Sequence, residues 1–442
     1  MLVKLSHGWR WPQNISDVKR SQVMNRRDFL KAVVASGCFL GAGGIRNLLQ
    51  ASTAKTSASV SAPLLVIVFL RGGADGLQLV GPTGDLYYVS SRPPQMRVAD
   101  SADVKALILS SSLDDRLGFA MNASGSPLFD HYRQGRLAVI HAVGLTDATR
   151  SHFVAERLIE TGFTSESQLN TSSQTGWLTR AVTGKHGPVS GFSAAASSML
   201  SQHGLSEALA APDLDGGLAV PMGDTTIKFL EKVVVQDNSI WADATARTLS
   251  ILQTIDRRQP RDASGRIVPA GMGTRVSYKG AGDLARSLPA VARLASMEVG
   301  LSVSSIDFGG WDTHVSQSGT VNTLFRQLAT GLAVFQEDMA IRNIPVTTVV
   351  MTEFGRRVRA NKSDGTDHGH AACWFVLGDK VRGGRMYGQW PGLATSSLDN
   401  GVDLKVTTDY RLVLKEVIQA SMLDVSKTFP GYLPYNPLGL MG

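Results

Sequence analysis

The chain has 442 residues, with 44 lysines and arginines against 37 aspartates and glutamates. Residues 1–54 hold eight of these basic residues and two of the acidic ones, which leaves 36 and 35 in the rest of the chain. This even balance provides no basic field, so it argues against a protein that binds nucleic acid.

The start of the chain has the pattern of a twin-arginine export signal. Arg26 and Arg27 precede an apolar stretch, residues 32–45, and small and polar residues follow. That stretch is too short and too rich in glycine to span a bilayer as a helix. We therefore assign residues 1–54 to a twin-arginine signal peptide, with Met24 as an alternative start.

Cleavage after Ala54 is favoured over cleavage after Ala62, because Pro63 would follow the second site. The mature chain, residues 55–442, keeps Cys373 as its single cysteine and has no internal disulfide. That absence fits a route that exports folded proteins through the twin-arginine machinery. We expect a periplasmic or secreted protein with no transmembrane segment in the mature chain.

The export prediction can be tested with the double variant Arg26→Lys, Arg27→Lys. Because the machinery reads the two arginines, this variant is expected to stay in the cytoplasm with its leader uncut. Cell fractionation and blotting measure the outcome. Normal export of the double variant would count decisively against this route.

Short apolar runs rich in β-branched residues predict buried strands, and residues with a helical period separate them. The predicted strands are 63–70, 136–142, 301–307, 346–351 and 371–377. The predicted helices are 126–134, 151–161, 240–256, 281–298, 321–339 and 409–421. This alternation indicates a doubly wound α/β domain with a mostly parallel sheet, in which residues 186–280 form an insertion or cap.

Residues that can bind metals stand next to the ends of predicted strands, and the carboxyl ends of parallel strands share one edge. They are Asp75, Asp312, His314, Glu353, His368 and His370. A mixture of imidazoles and carboxylates suits zinc or another transition metal better than calcium or magnesium. We therefore predict a site for a divalent metal, with zinc favoured and one or two ions.

Each of these residues also has a simpler interpretation. Asp75 lies in a tight turn, where aspartate is common. Asp312 and His314 face one way in extended geometry, but a solvated loop explains them too. Glu353 has arginines nearby in sequence with which it could pair, and Asp367 could orient one of the two histidines that follow it.

A second candidate segment opens the helix at 151–161. A hydroxyl at a helix N-terminus either caps the free N–H groups or acts as a nucleophile whose pKa a metal lowers. We take Ser151 as the candidate nucleophile, with Thr149 as the alternative. His152 stands beside it as a ligand or an acid.

Six motifs in order resemble the exported bacterial "domain of unknown function 1501" family, over nearly all of residues 63–424. They are Arg71–Gly76, Arg150–Phe153, Gly310–Gln317, Thr352–Arg356, Asp367–His370 and Thr408–Arg411. That family is grouped with the alkaline phosphatase and sulfatase superfamily. The resemblance implies a three-layer α/β/α sandwich, with metals at the strand ends and a hydroxyl nucleophile that opens a helix.

Carried over by position, Asp75 resembles the first metal carboxylate, and Asp312 with His314 resembles the next ligand pair. Ser151 falls near the nucleophile, and Glu353 stands where those enzymes carry Asp-His. The last metal histidine is matched by His368 or His370. The Asp–His pair is two residues apart here, where the superfamily has four, and Phe354 replaces a ligand histidine.

The resemblance implies an exported metal-dependent hydrolase of phosphate or sulfate esters, with a small or polymer-borne ester as substrate. The alternative is a non-catalytic protein that binds metal or ligand on the same scaffold, as part of an exported assembly.

Overall fold

A computed structural model gives the fold of the chain. It describes residues 62–98, 107–109, 117–171, 175–182, 184, 187–215, 217–218, 223–235, 240–272, 275–432 and 436–442. The predicted signal peptide, residues 1–54, lies outside the described residues.

A large sheet dominates the described part of the chain. The strands, in chain order, are β1 (Leu64–Leu70), β2 (Val80–Pro82), β3 (Leu107–Ile108), β4 (Phe119–Met121), β5 (Leu137–Gly144), β6 (Gly191–Ser193), β7 (Ala208–Ala210), β8 (Val303–Phe308), β9 (Val346–Met351), β10 (Ala372–Gly378), β11 (Arg385–Tyr387) and β12 (Thr408–Asp409). The large sheet has the order β11-β5-β10-β9-β1-β8-β6-β7, and β12 also pairs with β5. A small antiparallel sheet has the order β2-β4-β3.

The helices connect these strands and cover the sheet. In chain order they are α1 (Gly76–Leu79), α2 (Leu86–Ser91), α3 (Ser126–Arg133), α4 (His152–Thr161), α5 (Glu166–Thr171), α6 (Trp177–Val182), α7 (Asp224–Val235), α8 (Ile240–Arg258), α9 (Leu284–Ser296), α10 (Gln317–Ile341) and α11 (Tyr410–Ala420). No helix in the described ranges combines the length and apolarity that a membrane span needs.

The two faces of β1 belong to different parts of the core. Val66 packs in a buried cluster with residues of α9 and α10. Its neighbour Ile67 packs in a second cluster with residues of α4 and α11. Burial on both faces explains why this strand is a continuous apolar run. The mixed α/β fold with a mostly parallel sheet is confirmed, while its alkaline-phosphatase-like arrangement stays a prediction.

The sheet places strand ends from distant parts of the sequence at one edge. β1 pairs in parallel with both β8 and β9, so the carboxyl ends of these three strands lie side by side. β10 is antiparallel to β9 and to β5, so it begins where the parallel strands end. Residues that follow β1, β8 and β9 and residues that precede β10 therefore meet at this edge.

The region 186–280 is partly built into the same sheet. β6 pairs in parallel with β8, and β7 extends the sheet beyond β6. α7 and α8 then pack against each other. The role of this region as an insertion or cap stays a prediction.

His141 on β5 should make the protein sensitive to acid. It is buried; its Nε2 lies 2.9 Å from the carbonyl of Val80, and its Nδ1 accepts from the N–H of Ala142 at 3.1 Å. Burial lowers the pKa of His141 to about 4 from its ordinary value of 6.5. Between these two pKa values the unfolded chain holds a proton that the folded protein does not. The free energy of unfolding therefore decreases as the pH decreases.

This linkage predicts a loss of about 2 kcal/mol in the free energy of unfolding between pH 7.5 and pH 5, at about 1.4 kcal/mol per pH unit below the ordinary pKa. Urea unfolding at both pH values measures the loss. In the variant His141→Gln, the loss between the two pH values should be smaller by this amount. An unchanged loss would show that His141 does not carry the effect.

Candidate metal centre

Three imidazoles and one carboxylate meet at the carboxyl edge of the sheet. Nε2 of His368 lies 3.0 Å from Nε2 of His152, 2.9 Å from Nε2 of His314 and 3.0 Å from Oδ1 of Asp312. The same Asp312 oxygen lies 2.9 Å from Nε2 of His314 and 3.5 Å from Nε2 of His152. We name these four residues the His₃Asp cluster.

Glu353 fixes the orientation of His152. This carboxylate is fully buried, and its Oε1 lies 2.6 Å from Nδ1 of His152. Oε1 also accepts the N–H of Gly72 at 2.8 Å, and Oε2 accepts the hydroxyl of Thr352 at 3.0 Å. The hydrogen bond to Glu353 raises the pKa of His152. A carboxylate only accepts, so Nδ1 carries the proton and Nε2 faces the cluster.

His368 is oriented in the same way by the backbone. Its Nδ1 lies 2.9 Å from the carbonyl oxygen of Arg150, which can only accept. Nδ1 of His314 lies 3.7 Å from Oδ1 of Asp367, which is too long for a hydrogen bond. Two of the three histidines therefore have their outer nitrogen fixed by an acceptor.

The facing nitrogens need a positive charge between them. When Nδ1 holds the proton of a neutral imidazole, Nε2 presents a lone pair. The Nε2 atoms of His152 and His368 then face each other at 3.0 Å. One proton could bridge one such pair, but a cation satisfies all the inward-facing atoms together. Ligand atoms of a tetrahedral zinc, each about 2.0–2.1 Å from the ion, stand roughly 3.3 Å apart.

A buried arginine holds Asp312 in place. Nη2 of Arg356 donates to Oδ1 of Asp312 at 2.6 Å, and other guanidinium nitrogens donate to the carbonyls of Gly73 at 2.6 Å and Thr366 at 2.9 Å. Burial raises the pKa of Asp312, but hydrogen bonds from Arg356 and His368 outweigh it and lower the pKa to about 2. Asp312 is therefore ionised at neutral pH, as a metal ligand must be.

A glycine explains how the loop after β1 approaches the loop after β8. Gly72 has a φ of +118°, and a Cβ at that position would lie 2.3 Å from the backbone nitrogen of Asp312. Only glycine allows this approach. Trp311, fully buried, anchors the loop after β8 next to Asp312.

The cluster is open to solvent. The side chains of His152 and His368 are 23% and 22% exposed, and those of Asp312 and His314 are 48% and 39% exposed. Such access is typical of a catalytic metal site rather than of a closed structural site.

A second group of ligand atoms adjoins the cluster through a shared residue. Atoms of His152, Glu156 and Glu353 all lie within 4.8 Å of one another. Burial raises the pKa of Glu156 to about 7, although Arg71 lies 3.4 Å away. Nδ1 of His152 lies within hydrogen-bond distance of Glu353. We therefore interpret this group as residues that orient His152 in the His₃Asp cluster, and not as a second metal site.

Asp75 is engaged outside the cluster. Its Oδ2 accepts from Nη1 of the buried Arg92 at 2.5 Å and from the side-chain amide of Gln317 at 2.5 Å. Its Oδ1 accepts the N–H of Leu77 at the start of α1, at 3.2 Å. Both carboxylate oxygens of Asp75 therefore accept from protein donors, and none of these donors belongs to the His₃Asp cluster.

His370 is likewise turned away from the cluster. Its Nδ1 lies 2.8 Å from Oδ2 of Asp399, and its Nε2 lies 2.9 Å from the carbonyl of Leu145. Both ring nitrogens are engaged, so neither is available to a metal. Of the two histidines that precede β10, the structure brings His368 into the cluster.

Ser151 lies between Arg150, whose carbonyl contacts His368, and His152, a member of the cluster. It is the N-cap residue of α4 and is exposed, and its side chain makes no capping hydrogen bond. Its backbone N–H donates to the hydroxyl of Thr149 at 3.3 Å. The first N–H groups of α4 are therefore not capped by the Ser151 hydroxyl.

Sequence reasoning did not find several of these partners. Glu353 was predicted as a metal ligand, with a pair to Arg356 or Arg357 as the alternative; in the structure its carboxylate lies against His152, 201 positions away. Arg356 instead pairs with Asp312. No local signal reveals such contacts, because the order of strands in the sheet creates them.

Comparison with known proteins finds one family model that matches part of the chain. Residues 290–416 match the model of a family described as "Protein of unknown function (DUF1501)". The match covers less than half of the chain. The matched segment includes Asp312, His314 and His368, whereas His152 precedes it.

Other comparisons add little. A search of curated proteins finds no match to this chain. Among solved structures, one described as "Crystal structure of Ps i-CgsB in complex with k-i-k-neocarrahexaose" shares 8% sequence identity over 84% of this chain and 74% of that chain. Its TM-score is 0.34, and a likeness at that level carries no inference about this protein.

Proposed function

We propose that this protein is an exported metal-dependent hydrolase of phosphate or sulfate esters, with zinc bound in the His₃Asp cluster. One observation carries the proposal. Nε2 of His368 lies within 3.0 Å of Nε2 of His152, Nε2 of His314 and Oδ1 of Asp312, and acceptors hold the outer nitrogens of two of the histidines.

The donor set favours a particular metal. Three imidazoles and one carboxylate suit zinc or a related transition metal, whereas magnesium and calcium prefer oxygen ligands. The geometry supports one ion. Asp75, Glu353 and His370 are left out of the proposed ligand set, because other residues engage them.

A bound zinc ion would polarise an ester oxygen and lower the pKa of a hydroxyl or water. The residues supply the rest of the site. Glu353 holds His152 in one orientation, and Ser151 presents an exposed hydroxyl next to it. The uncapped N-terminus of α4 offers N–H groups and a positive dipole end to an anionic ester group. This combination supports a negatively charged ester as substrate.

Export is the second part of the proposal. The twin-arginine pattern at Arg26 and Arg27 supports a periplasmic or secreted enzyme that crosses the membrane already folded. Loading of the metal before export would fit this route.

A non-catalytic metal-binding protein is the alternative function. Asp312 supplies a fourth donor, and four protein ligands fill the tetrahedral shell of a structural zinc site. Solvent access to the cluster argues for the catalytic alternative, so activity must decide between the two.

Hydrolysis of chromogenic phosphate and sulfate esters by the zinc-loaded protein tests the proposal. We expect one class of ester to be hydrolysed, and Ser151→Ala to lower kcat by roughly 1,000-fold or more with unchanged zinc content. Thr149→Ala tests the alternative nucleophile and should keep most of the activity. Full activity of Ser151→Ala would exclude this nucleophile. Absence of hydrolysis of both esters would favour the non-catalytic alternative.

A further inference from the structure

Arg357 differs from the other arginines around the His₃Asp cluster in its hydrogen bonding. Arg92, Arg150 and Arg356 each donate guanidinium hydrogen bonds to carboxylates or carbonyls. Within the part of the chain that the structure describes, the guanidinium of Arg357 donates none, and its Nε is a buried donor without a partner. Its side chain as a whole is 40% exposed.

The backbone brings Arg357 next to the cluster. Arg356 and His368 form an antiparallel bridge, and the N–H of Arg357 donates to the carbonyl of Asp367 at 3.0 Å. The carboxylate of Asp367 lies between two groups: its Oδ2 is 3.6 Å from Nη1 of Arg357, and its Oδ1 is 3.7 Å from Nδ1 of His314. One carboxylate therefore separates this guanidinium from a cluster histidine.

The two nearby carboxylates do not form hydrogen bonds with the guanidinium of Arg357. Nε of Arg357 lies 4.0 Å from Oδ1 of Asp403, a buried oxygen that accepts no hydrogen bond from the described residues, while Oδ2 of the same carboxylate accepts from Nε of Arg150 at 3.0 Å. Asp367 accepts the side-chain amide of Asn361 at 3.2 Å. Both contacts of Arg357 are longer than hydrogen bonds, so its donors can turn to a ligand without breaking one.

We propose that Arg357 binds the tetrahedral oxyanion of the ester, a phosphoryl or sulfuryl group held next to the His₃Asp cluster. The proposal rests on the proposed function and names a binding residue for it. A guanidinium presents a planar fork of donors that matches two oxygens of such a group, and it stays charged at every working pH. The uncapped N-terminus of α4 supplies further donors at the same edge of the sheet.

The test is calorimetric titration of the zinc-loaded protein with inorganic phosphate and, separately, with inorganic sulfate. Arg357→Met is expected to weaken binding of the preferred anion at least tenfold. Arg357→Lys should recover only part of the loss, because lysine keeps the charge without the fork. Arg359→Met, an exposed arginine on the same loop, is the matched control and should bind within twofold of the wild type. Zinc content and circular dichroism confirm that each variant is folded.

The outcomes separate this proposal from the proposed function. Loss of anion binding in Arg357→Met supports the assignment even where no ester is hydrolysed. Unchanged binding in Arg357→Met overturns the assignment and leaves any measured hydrolysis standing. A wild-type protein that binds neither anion overturns it as well. The anion bound more tightly shows whether the site is built for phosphate or for sulfate.

Discussion

Replacement of His368 by asparagine is expected to lower the affinity for zinc by more than about 100-fold. His368 is the residue whose Nε2 lies within 3.0 Å of each of the other three cluster atoms, those of His152, Asp312 and His314. Loss of residues that only orient metal ligands costs roughly 10–100-fold in affinity, so loss of a ligand should cost more. Competition with a chromophoric chelator measures the affinity.

The matched control for this variant is His203→Asn, which replaces an exposed histidine outside the cluster. It should bind zinc as the wild type does. Equal zinc affinity of His368→Asn and the wild type would remove His368 from the centre. Because His368 contacts every other member, the proposed ligand set would then be wrong.

Replacement of Asp75 by asparagine should destabilise the protein without loss of zinc. Asp75 and Arg92 form an ion pair whose side chains are 1% and 0% exposed. Removal of one partner leaves a buried charge uncompensated, which typically costs about 3–5 kcal/mol. We expect this loss in the free energy of unfolding, measured by urea titration, with one equivalent of zinc still bound.

Asp364→Asn provides the control, because Asp364 is an exposed carboxylate in the loop that precedes His368. A surface change of this kind should alter the free energy of unfolding by less than about 0.5 kcal/mol. The opposite pattern for Asp75→Asn, with stability kept and zinc affinity lost, would restore Asp75 as a metal ligand. The sequence-based prediction makes Asp75 a metal ligand, whereas the structure places it in a buried ion pair. The two therefore predict different results for Asp75→Asn.

The sequence predicted which residues lie at the carboxyl edge of the sheet better than it predicted the contacts that they make there. Continuous apolar runs at β1 and β9 indicate buried strands, and their ends share an edge in any parallel sheet. The alternation of Asp312 and His314 placed both side chains on one face. These inferences depend on local pattern alone, so the order of strands was not needed for them.

Contacts across the sheet could not be predicted from local sequence pattern. Arg92 reaches Asp75 from the short segment that follows α2, and Glu353 reaches His152, the first residue of α4, from the segment that follows β9. The antiparallel direction of β10 is also invisible in its apolar run, because direction does not change the pattern of a strand that is buried on both faces.

The pair His368 and His370 shows where local geometry misleads. In extended backbone both side chains would face the same way. Here the backbone at Gly369 lies close to that of Arg356, and a Cβ at Gly369 would lie 2.4 Å from the carbonyl carbon of Arg356. His370 contacts Asp399, while His368 lies in the cluster.

The central claim is that the His₃Asp cluster binds one transition-metal ion. Elemental analysis of the mature protein, purified without added metal or chelator, tests it most directly. We predict about one equivalent of zinc per chain, retained through gel filtration and lost from His368→Asn. A wild-type protein that carries no stoichiometric transition metal, and that takes up none when zinc is supplied at neutral pH, would contradict the claim.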